Sequence, residues 1–176
     1  MPDDLRRYLA HERLLDGRPV VIRAIREDDK EALAQGFRRL SARSVYQRFF
    51  APKQSLSDAE LEYLTELDFE RHVALLAVVG TDGADRAVGV GRFVVDPGGS
   101  SAEVALTVDD EHQGLGIGTL LLSHLAVIGR RLQLSDFHAV VLGTNQQMLD
   151  VFARCGLPMK RTISRGEASV RLSLEG

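Results

Sequence analysis

The sequence has a single cysteine, no surplus of positive charge and no long hydrophobic run, and each absence excludes a class of protein. Cys155 has no second cysteine with which to form a disulfide within the chain. The formal net charge of -3 gives no general attraction to nucleic acids or anionic membranes, which select basic surfaces. The longest apolar run, residues 73–79, has about a third of the roughly 20 residues that a membrane-spanning helix needs. Together with a charged N-terminus that has no apolar signal-peptide core, these features predict a cytoplasmic protein that binds neither nucleic acid nor membrane.

The composition is that of one water-soluble domain. Of 176 residues, 44% are hydrophobic and 27% are charged, a balance that allows a sizeable core and a polar surface. Residues 1–17 are polar and are predicted to be an N-terminal extension that frays. The domain itself is predicted to occupy residues 18–176, because residues 18–25 alternate and are rich in valine and isoleucine, as in a first strand.

The periodicity of apolar residues predicts a mixed α/β fold. After the first strand, three helices are expected, capped by Asp28 or Asp29, by Ser41, and by Ser57 with Glu60 in a capping box. The second half contains strands at 73–79, 87–95 and 102–108, a helix at 116–132, a strand at 138–142, a helix at 145–154 and a closing hairpin at 160–165 and 167–174. Turns at 81–83 and 96–99 place the three central strands in meander order.

A glycine-rich turn between the strand at 102–108 and the helix at 116–132 is the most informative segment. Glycines 114, 116 and 118 let the backbone approach a ligand, and the amides at a helix N-terminus attract phosphate. The alternative is a tight strand-to-helix connection with no ligand. Without a Gly-Lys-Ser/Thr ending the segment is not a P-loop, and a dinucleotide fold would place it after the first strand. Coenzyme A is therefore the best pyrophosphate ligand.

The run Gln113-Gly114-Leu115-Gly116-Ile117-Gly118 matches Gln/Arg-x-x-Gly-x-Gly/Ala, and here the sequence resembles the GNAT acetyltransferase superfamily. The resemblance covers about residues 18–174. It implies the GNAT fold, a mixed twisted sheet of six or seven strands flanked by helices, with a splay between the fourth and fifth strands. It also implies an N-acetyltransferase that uses acetyl-CoA as cosubstrate and requires no metal.

The resemblance also implies which residues bind the cofactor. The backbone of Leu106, Thr107 and Val108 would pair with the pantetheine arm, because a strand edge with unpaired amides accepts an extended ligand. Asn145 would contact the cofactor near the splay, although its alternative role is that of a plain helix N-cap. The pyrophosphate would be held by the turn and the first residues of the helix: Gln113, Gly114, Leu115, Gly116, Ile117, Gly118 and Thr119.

A narrower resemblance concerns the acceptor. Residues 40–50, Leu-Ser-Ala-Arg-Ser-Val-Tyr-Gln-Arg-Phe-Phe, are similar to a segment of bacterial Pat-type protein-lysine acetyltransferases, which implies a protein lysine as acceptor. Two alternatives remain open: a small amine or protein N-terminus as acceptor, and a non-catalytic coenzyme A-binding module. Tyr46, Arg48 and Phe49 either line an acceptor cleft or form the packing stripe of a helix.

Glu103 is the candidate general base. An amine of pKa about 10.4 is almost fully protonated at neutral pH, so a base must remove a proton before the amine can attack. In similar lysine acetyltransferases a glutamate in the corresponding place serves as the base, whereas the alternative is a glutamate that merely faces solvent. The tyrosine with which many members protonate the departing thiolate is replaced by Phe152. His112 is predicted to be a solvated turn histidine, with a contact to a cofactor phosphate as the alternative.

Overall fold

The computed structural model describes residues 4–81 and 84–175, a range that contains eight strands and five α-helices. Residues 82 and 83 of the predicted turn lie outside the described part. The strands are β1 (Leu9–Arg13), β2 (Pro19–Ala24), β3 (His72–Thr81), β4 (Ala84–Val95), β5 (Ser101–Val108), β6 (Asp136–Leu142), β7 (Met159–Ser164) and β8 (Glu167–Ser173). The helices are α1 (Lys30–Arg39), α2 (Ala42–Phe49), α3 (Asp58–Thr65), α4 (Ile117–Arg131) and α5 (Gln146–Arg154). No helix in the described ranges combines the length and the apolar character that crossing a bilayer requires.

All eight strands belong to one mixed sheet, in the order β1-β2-β3-β4-β5-β6-β8-β7. Neighbouring strands are antiparallel except β5 and β6, which are parallel. The mixed α/β class, the central meander and the closing hairpin are therefore confirmed. The predicted strand number of six or seven is wrong, because the sheet has an eighth strand at its N-terminal edge.

The additional strand, β1, lies within the residues that were predicted to be a frayed polar extension. It pairs antiparallel with β2 from Leu9 opposite Arg23 to Arg13 opposite Pro19. Its sequence, Leu-Ala-His-Glu-Arg, has no apolar alternation because the strand lies at an edge, where charged side chains are common. Backbone pairing with β2, together with a 2.8 Å contact between the Glu12 carboxylate and the His124 ring of α4, holds these residues in place.

The helices α2 and α3 begin where their capping residues predicted, whereas Asp29 is the N-cap of α1 by position but makes no capping hydrogen bond, because its carboxylate is bound by Arg23 and by the Arg26 amide. The Ser41 hydroxyl accepts a hydrogen bond from the Ser44 amide at 3.1 Å and begins α2. At α3, the Ser57 hydroxyl accepts from the Glu60 amide at 3.1 Å, and the Glu60 carboxylate accepts from the Ser57 amide at 3.0 Å. These bonds satisfy amides that have no partner within the helix, so the two caps fix where α2 and α3 start.

Helix α4 lies unusually close to the centre of the sheet because two residues of β4 have no side chain. A Cβ atom added at Gly89 would lie 2.8 Å from Ile117 Cγ2, and one at Gly91 would lie 3.0 Å from Leu125 Cδ1, both atoms of α4. The buried face of α4, including Leu121, fills the space that these glycines leave. This packing places the N-terminus of α4 beside the end of β5.

Strands β5 and β6 separate soon after they meet. Their pairing is limited to Ser101–Glu103 opposite Asp136–His138. Beyond Glu103, β5 continues to Val108 paired with β4 alone. The predicted splay is thus confirmed. It lies between the fourth and fifth strands as counted from the sequence, which are β5 and β6 of the structure.

Candidate active site

The gap between β5 and β6 opens into a cavity of about 530 Å³. Its walls come from β5, the glycine-rich turn, the start of α4, the middle of β6 and α5, with α2 at one end. The cavity brings together all the predicted site residues, which are Glu103, Leu106, Thr107, Val108, Gln113, Gly114, Leu115, Gly116, Ile117, Gly118, Thr119 and Asn145.

The free edge of β5 faces this cavity with its backbone. The Asp109 amide donates to the Val88 carbonyl at 2.8 Å, so Asp109 is directed toward β4. Because backbone groups of successive strand residues alternate in direction, the N–H groups of Leu106 and Val108 are directed away from β4, into the gap. The edge that the sequence assigned to an extended ligand is therefore accessible to one.

The glycine-rich turn ends in a helix N-terminus without a side-chain cap. Gly114 and Gly116 have φ values of 79° and 88°, in the left-handed region that side chains disfavour. Gly116 is the N-cap of α4, and no side chain caps the helix at this end. The first amides of α4 are thus left to bind an anion, which the positive end of the helix dipole also attracts.

Buried polar contacts fix the turn against the sheet. The Gln113 side-chain amide donates to the Val108 carbonyl at 3.3 Å. Asp109 is buried and contacts His112 at 3.0 Å, Arg86 at 3.1 Å and Arg39 at 3.7 Å. The prediction of a solvated His112 is wrong, because this carboxylate draws the ring into the protein, where it is 7% exposed.

Asp110 connects the turn to α2. Its carboxylate accepts hydrogen bonds from the Ser41 amide at 3.1 Å, the Ser41 hydroxyl at 2.8 Å and the Ser44 hydroxyl at 3.1 Å. Burial by itself would raise the pKa of Asp110, but the hydrogen bonds from Ser41 and Ser44 outweigh it and lower the pKa below its usual value. One charged residue thus anchors both the glycine-rich turn and the start of α2.

The N-terminal hairpin also reaches the cavity, which the sequence did not predict. The Leu15 amide donates to the Leu115 carbonyl at 3.0 Å, and Leu15 Cγ lies 3.3 Å from where a Gly116 Cβ would be. Arg13, at the end of β1, lines the cavity with Leu15. No local pattern signals these contacts, because they join residues about a hundred positions apart.

Glu103 lies where the splay begins. It is exposed on β5, opposite Val94 on β4 and His138 on β6, and it lines the cavity. Arg48, from α2, lines the same part of the cavity and is close enough to Glu103 for the two charges to interact. A carboxylate therefore stands at the end of the cavity opposite the glycine-rich turn.

The far wall of the cavity is formed by α5. The Asn145 side-chain oxygen accepts from the Met148 amide at 3.2 Å, so Asn145 is the N-cap of α5 and lines the cavity at the same time. Phe152 is buried and also lines the cavity, with no hydroxyl to offer a proton. The Cys155 thiol donates to the Phe152 carbonyl at 3.0 Å. Within residues 4–81 and 84–175, no group of three His, Cys, Asp or Glu side chains could hold a metal ion.

Comparisons with known proteins agree with this architecture. The chain is similar to Acetyltransferase PA5475 of Pseudomonas aeruginosa, with 34% identity over 150 residues that cover 85% of this chain and 81% of that protein. The GNAT domain of S. lividans PAT superimposes with a TM-score of 0.84 at 33% identity, covering 94% and 96% of the two chains. The structure of yncA from Salmonella typhimurium with its cofactor acetyl-CoA shares the fold, with a TM-score of 0.70, 18% identity, and 89% and 94% coverage.

The sequence pattern of one family covers most of the chain. Residues 31–157 match the Acetyltransferase (GNAT) family, a range that extends from α1 to just beyond α5 and includes the glycine-rich turn, β5 and Glu103. The match and the similarity to S. lividans PAT confirm the two resemblances found in the sequence. The chain belongs to the GNAT family of acetyltransferases.

Proposed function

We propose that this acetyltransferase transfers the acetyl group of acetyl-CoA directly to the side chain of a protein lysine, with Glu103 as general base. The observation that carries the proposal is the course of the cavity. It runs from the amides of α4, along the free edge of β5, to the carboxylate of Glu103, which stands where β5 and β6 part. A phosphate site, a site for an extended arm and a base thus follow one another along one strand.

The shape of this path fits coenzyme A. At about 3.3 Å per residue, the strand from Glu103 to Val108 spans about 16 Å, which is the order of an extended pantetheine arm. The pyrophosphate would bind the amides of Gly114 to Thr119, and the arm would pair with the N–H groups of Leu106 and Val108. Nothing lies within 4 Å of the position of a Gly114 Cβ, so the backbone is open to a ligand there. Asn145 would complete the site from α5.

Acetyl-CoA supplies the acetyl group as an activated thioester, and the chain supplies the base and the oxyanion site. Glu103, directly or through a water molecule, takes one proton from the acceptor ammonium, which leaves a nucleophilic amine. The amine nitrogen forms a bond to the thioester carbonyl carbon, and the amide of Leu106, the nearer of the two free amides to Glu103, donates to the developing oxyanion. The carbon–sulfur bond then breaks. Because Phe152 has no proton to give, the thiolate takes one from water or from the nitrogen that is acetylated.

A protein acceptor is favoured by the resemblance to Pat-type enzymes and by the surface around Glu103. Phe50, at the end of α2, lines the cavity and is 40% exposed. Exposed aromatic side chains at the mouth of a cavity suit contact with another protein. A small amine would instead be expected to occupy a confined polar pocket.

A comparison of acceptors tests the proposal. We expect acetyl-CoA consumption with lysine-bearing proteins to exceed that with free polyamines or with peptides whose only amine is the N-terminus. Mass spectrometry of the products should place the acetyl group on lysine side chains. Turnover with small amines alone would contradict the protein-lysine proposal. Acetyl-CoA binding without turnover on any acceptor would favour a coenzyme A-binding module.

Arg13 is expected to contact a phosphate of coenzyme A. It lines the cavity beside Leu15, which contacts Gly116, and its described polar contact is a hydrogen bond to the Gly17 carbonyl at 2.8 Å. Replacing Arg13 by Gln should weaken coenzyme A binding about tenfold, because a hydrogen bond to a charged group contributes about 1.5–3 kcal/mol. Calorimetry should show no change for acetyl-pantetheine, which has no phosphate.

A neighbouring arginine provides the control for this experiment. Arg18 is on the same hairpin, does not line the cavity and is already paired with Asp16 at 2.7 Å. Arg18→Gln should bind coenzyme A as the unmodified protein does. An Arg13→Gln protein that lost affinity equally for coenzyme A and acetyl-pantetheine would show that the hairpin, and not a phosphate contact, was disturbed.

A further inference from the structure

Two arginines lie next to each other behind Glu103. Arg92, on β4, is only 6% exposed, and its guanidinium contacts the Leu64 carbonyl at 3.2 Å and the His72 Nε2 atom at 3.0 Å. Among the ion pairs of the described residues, none involves Arg92. A buried guanidinium without a carboxylate is uncommon, because removal of a charge from water is costly unless an opposite charge is near.

The charges of this group follow from its burial. Burial, followed by the positive charge of the neighbouring Arg48, lowers the pKa of Arg92 to about 9. Burial, followed by the charge of Arg92, lowers the pKa of His72 to about 4. At neutral pH, Arg92 is therefore still mostly protonated, whereas His72 is neutral. His72 does not add to the positive charge, and it does not neutralise any of it.

Arg48 brings the second positive charge to the surface of the cavity. It lines both the 530 Å³ cavity and a smaller one of about 80 Å³ behind it, which Arg92 also lines. Its guanidinium lies 5.0 Å from the centre of the Phe49 ring. In the part of the chain that the structure describes, Arg48 has no hydrogen bond and no ion pair. Burial lowers the pKa of Arg48, and the nearby Glu103 and Tyr63 side chains act in the opposite direction.

The balance of charge around the acceptor site is therefore positive. Arg48 and Arg92 contribute two positive charges, and Glu103 contributes one negative charge. Asp68, whose charge acts on His72, already accepts hydrogen bonds from three backbone amides, those of residues 70–72. An acceptor amine arrives as an ammonium and adds a further positive charge, which the two guanidiniums repel. An acceptor that also carries a carboxylate near its amine would provide the missing negative charge, and Arg48 can bind a carboxylate through two parallel hydrogen bonds.

We infer that Arg48 forms an anion subsite that selects acceptor amines with a carboxylate close by, and that the positive charge of the buried Arg92 strengthens this subsite. The inference rests on the proposed transfer to lysine. The carboxylate would belong to an acidic residue beside the acceptor lysine in a protein, or to the acceptor molecule itself if it is an amino acid. Arg48 is thus a specificity residue, and Glu103 remains the base.

The test compares acceptors that differ in one carboxylate. One pair consists of lysine peptides with Glu or Gln next to the acceptor, and the other of free lysine and its decarboxylated diamine. For the unmodified enzyme we expect kcat/KM about tenfold higher for the carboxylate-bearing member, mainly through KM, which corresponds to about 1.4 kcal/mol. Arg48→Gln should abolish the preference, and Arg48→Lys should retain part of it. The peptide pair and the free-lysine pair together show which source of the carboxylate the subsite uses.

Arg43→Gln is the matched control, because Arg43 is exposed on the same helix and lines neither cavity. It should leave the preference unchanged. A preference that survives in Arg48→Gln, or one that is absent from the unmodified enzyme, overturns the inference. The inference is also overturned if Arg48→Gln lowers kcat equally for both members of a pair and shifts the pH dependence of kcat. That result would mean that Arg48 acts through Glu103. If no peptide is acetylated but free lysine is, the protein-lysine proposal fails while the free-lysine pair still tests the subsite.

Discussion

Replacement of Glu103 by Gln is expected to lower turnover near neutral pH by about 100-fold or more, the usual scale for loss of a general base. Binding of acetyl-CoA should be retained, because Glu103 lies about 16 Å along β5 from the turn that is proposed to hold the pyrophosphate. Glutamine preserves the size and polarity of the side chain and cannot accept the proton. Steady-state kinetics with a lysine acceptor, together with calorimetry of cofactor binding, would measure the two effects separately.

The pH dependence identifies the origin of the loss. As the pH approaches about 10, a lysine acceptor deprotonates without help, so the difference between Glu103→Gln and the unmodified enzyme should shrink. Glu167→Gln is a suitable control, since Glu167 is an exposed strand glutamate on β8 outside the cavity. A folded Glu103→Gln protein with full activity over the whole pH range would refute the assignment of the base.

Replacement of Gly116 by Asp should weaken coenzyme A binding by at least about tenfold relative to Gly116→Ala. The alanine variant controls for the backbone, because any side chain at the φ of 88° costs about 1–2 kcal/mol, and its Cβ would lie 3.3 Å from Leu15 Cγ. Only the aspartate adds a negative charge beside the first amides of α4, where the pyrophosphate is expected.

Calorimetric titration of both variants with coenzyme A, alongside their melting temperatures, would separate affinity from stability. Both variants should fold, with similar losses of thermal stability. Equal affinity of the two for coenzyme A would show that this turn only connects β5 to α4, which is the alternative that the sequence left open. The same titration with acetyl-pantetheine should show little difference between aspartate and alanine.

Local chemistry explains which parts of the fold were predictable. The caps at Ser41 and Ser57 depend on residues three positions apart. The spacing of apolar residues changes from every second residue, as in a strand, to about every 3.6 residues, as in a helix, within the single segment 108–116. The glycine-rich turn could be recognised as a candidate phosphate-binding segment because its residues are consecutive in the sequence. All twelve predicted site residues line one cavity for the same reason, since most of them belong to a single strand–turn–helix unit.

The features that escaped prediction depend on contacts between distant segments. Strand β1 is held by backbone pairing with β2, which leaves no apolar pattern in the sequence. Whether Arg48 packs inside a helix stripe or faces a cleft could not be decided from α2 alone, because the answer depends on Arg92 of β4. In the structure these neighbouring residues of α2 have different roles. Phe49 packs with Phe37 at a ring-centroid distance of 5.8 Å, whereas Arg48 lines the cavity.

The pairing of β5 has a consequence for the tolerance of this segment to insertions and deletions. Because β5 is paired with β4 along its whole length and with β6 only as far as Glu103, the number of residues between Glu103 and Gly114 sets the distance from base to turn. One inserted residue would lengthen this distance by about 3.3 Å and would turn Glu103 toward the opposite face of the sheet. In β5, therefore, length is constrained as strictly as residue type.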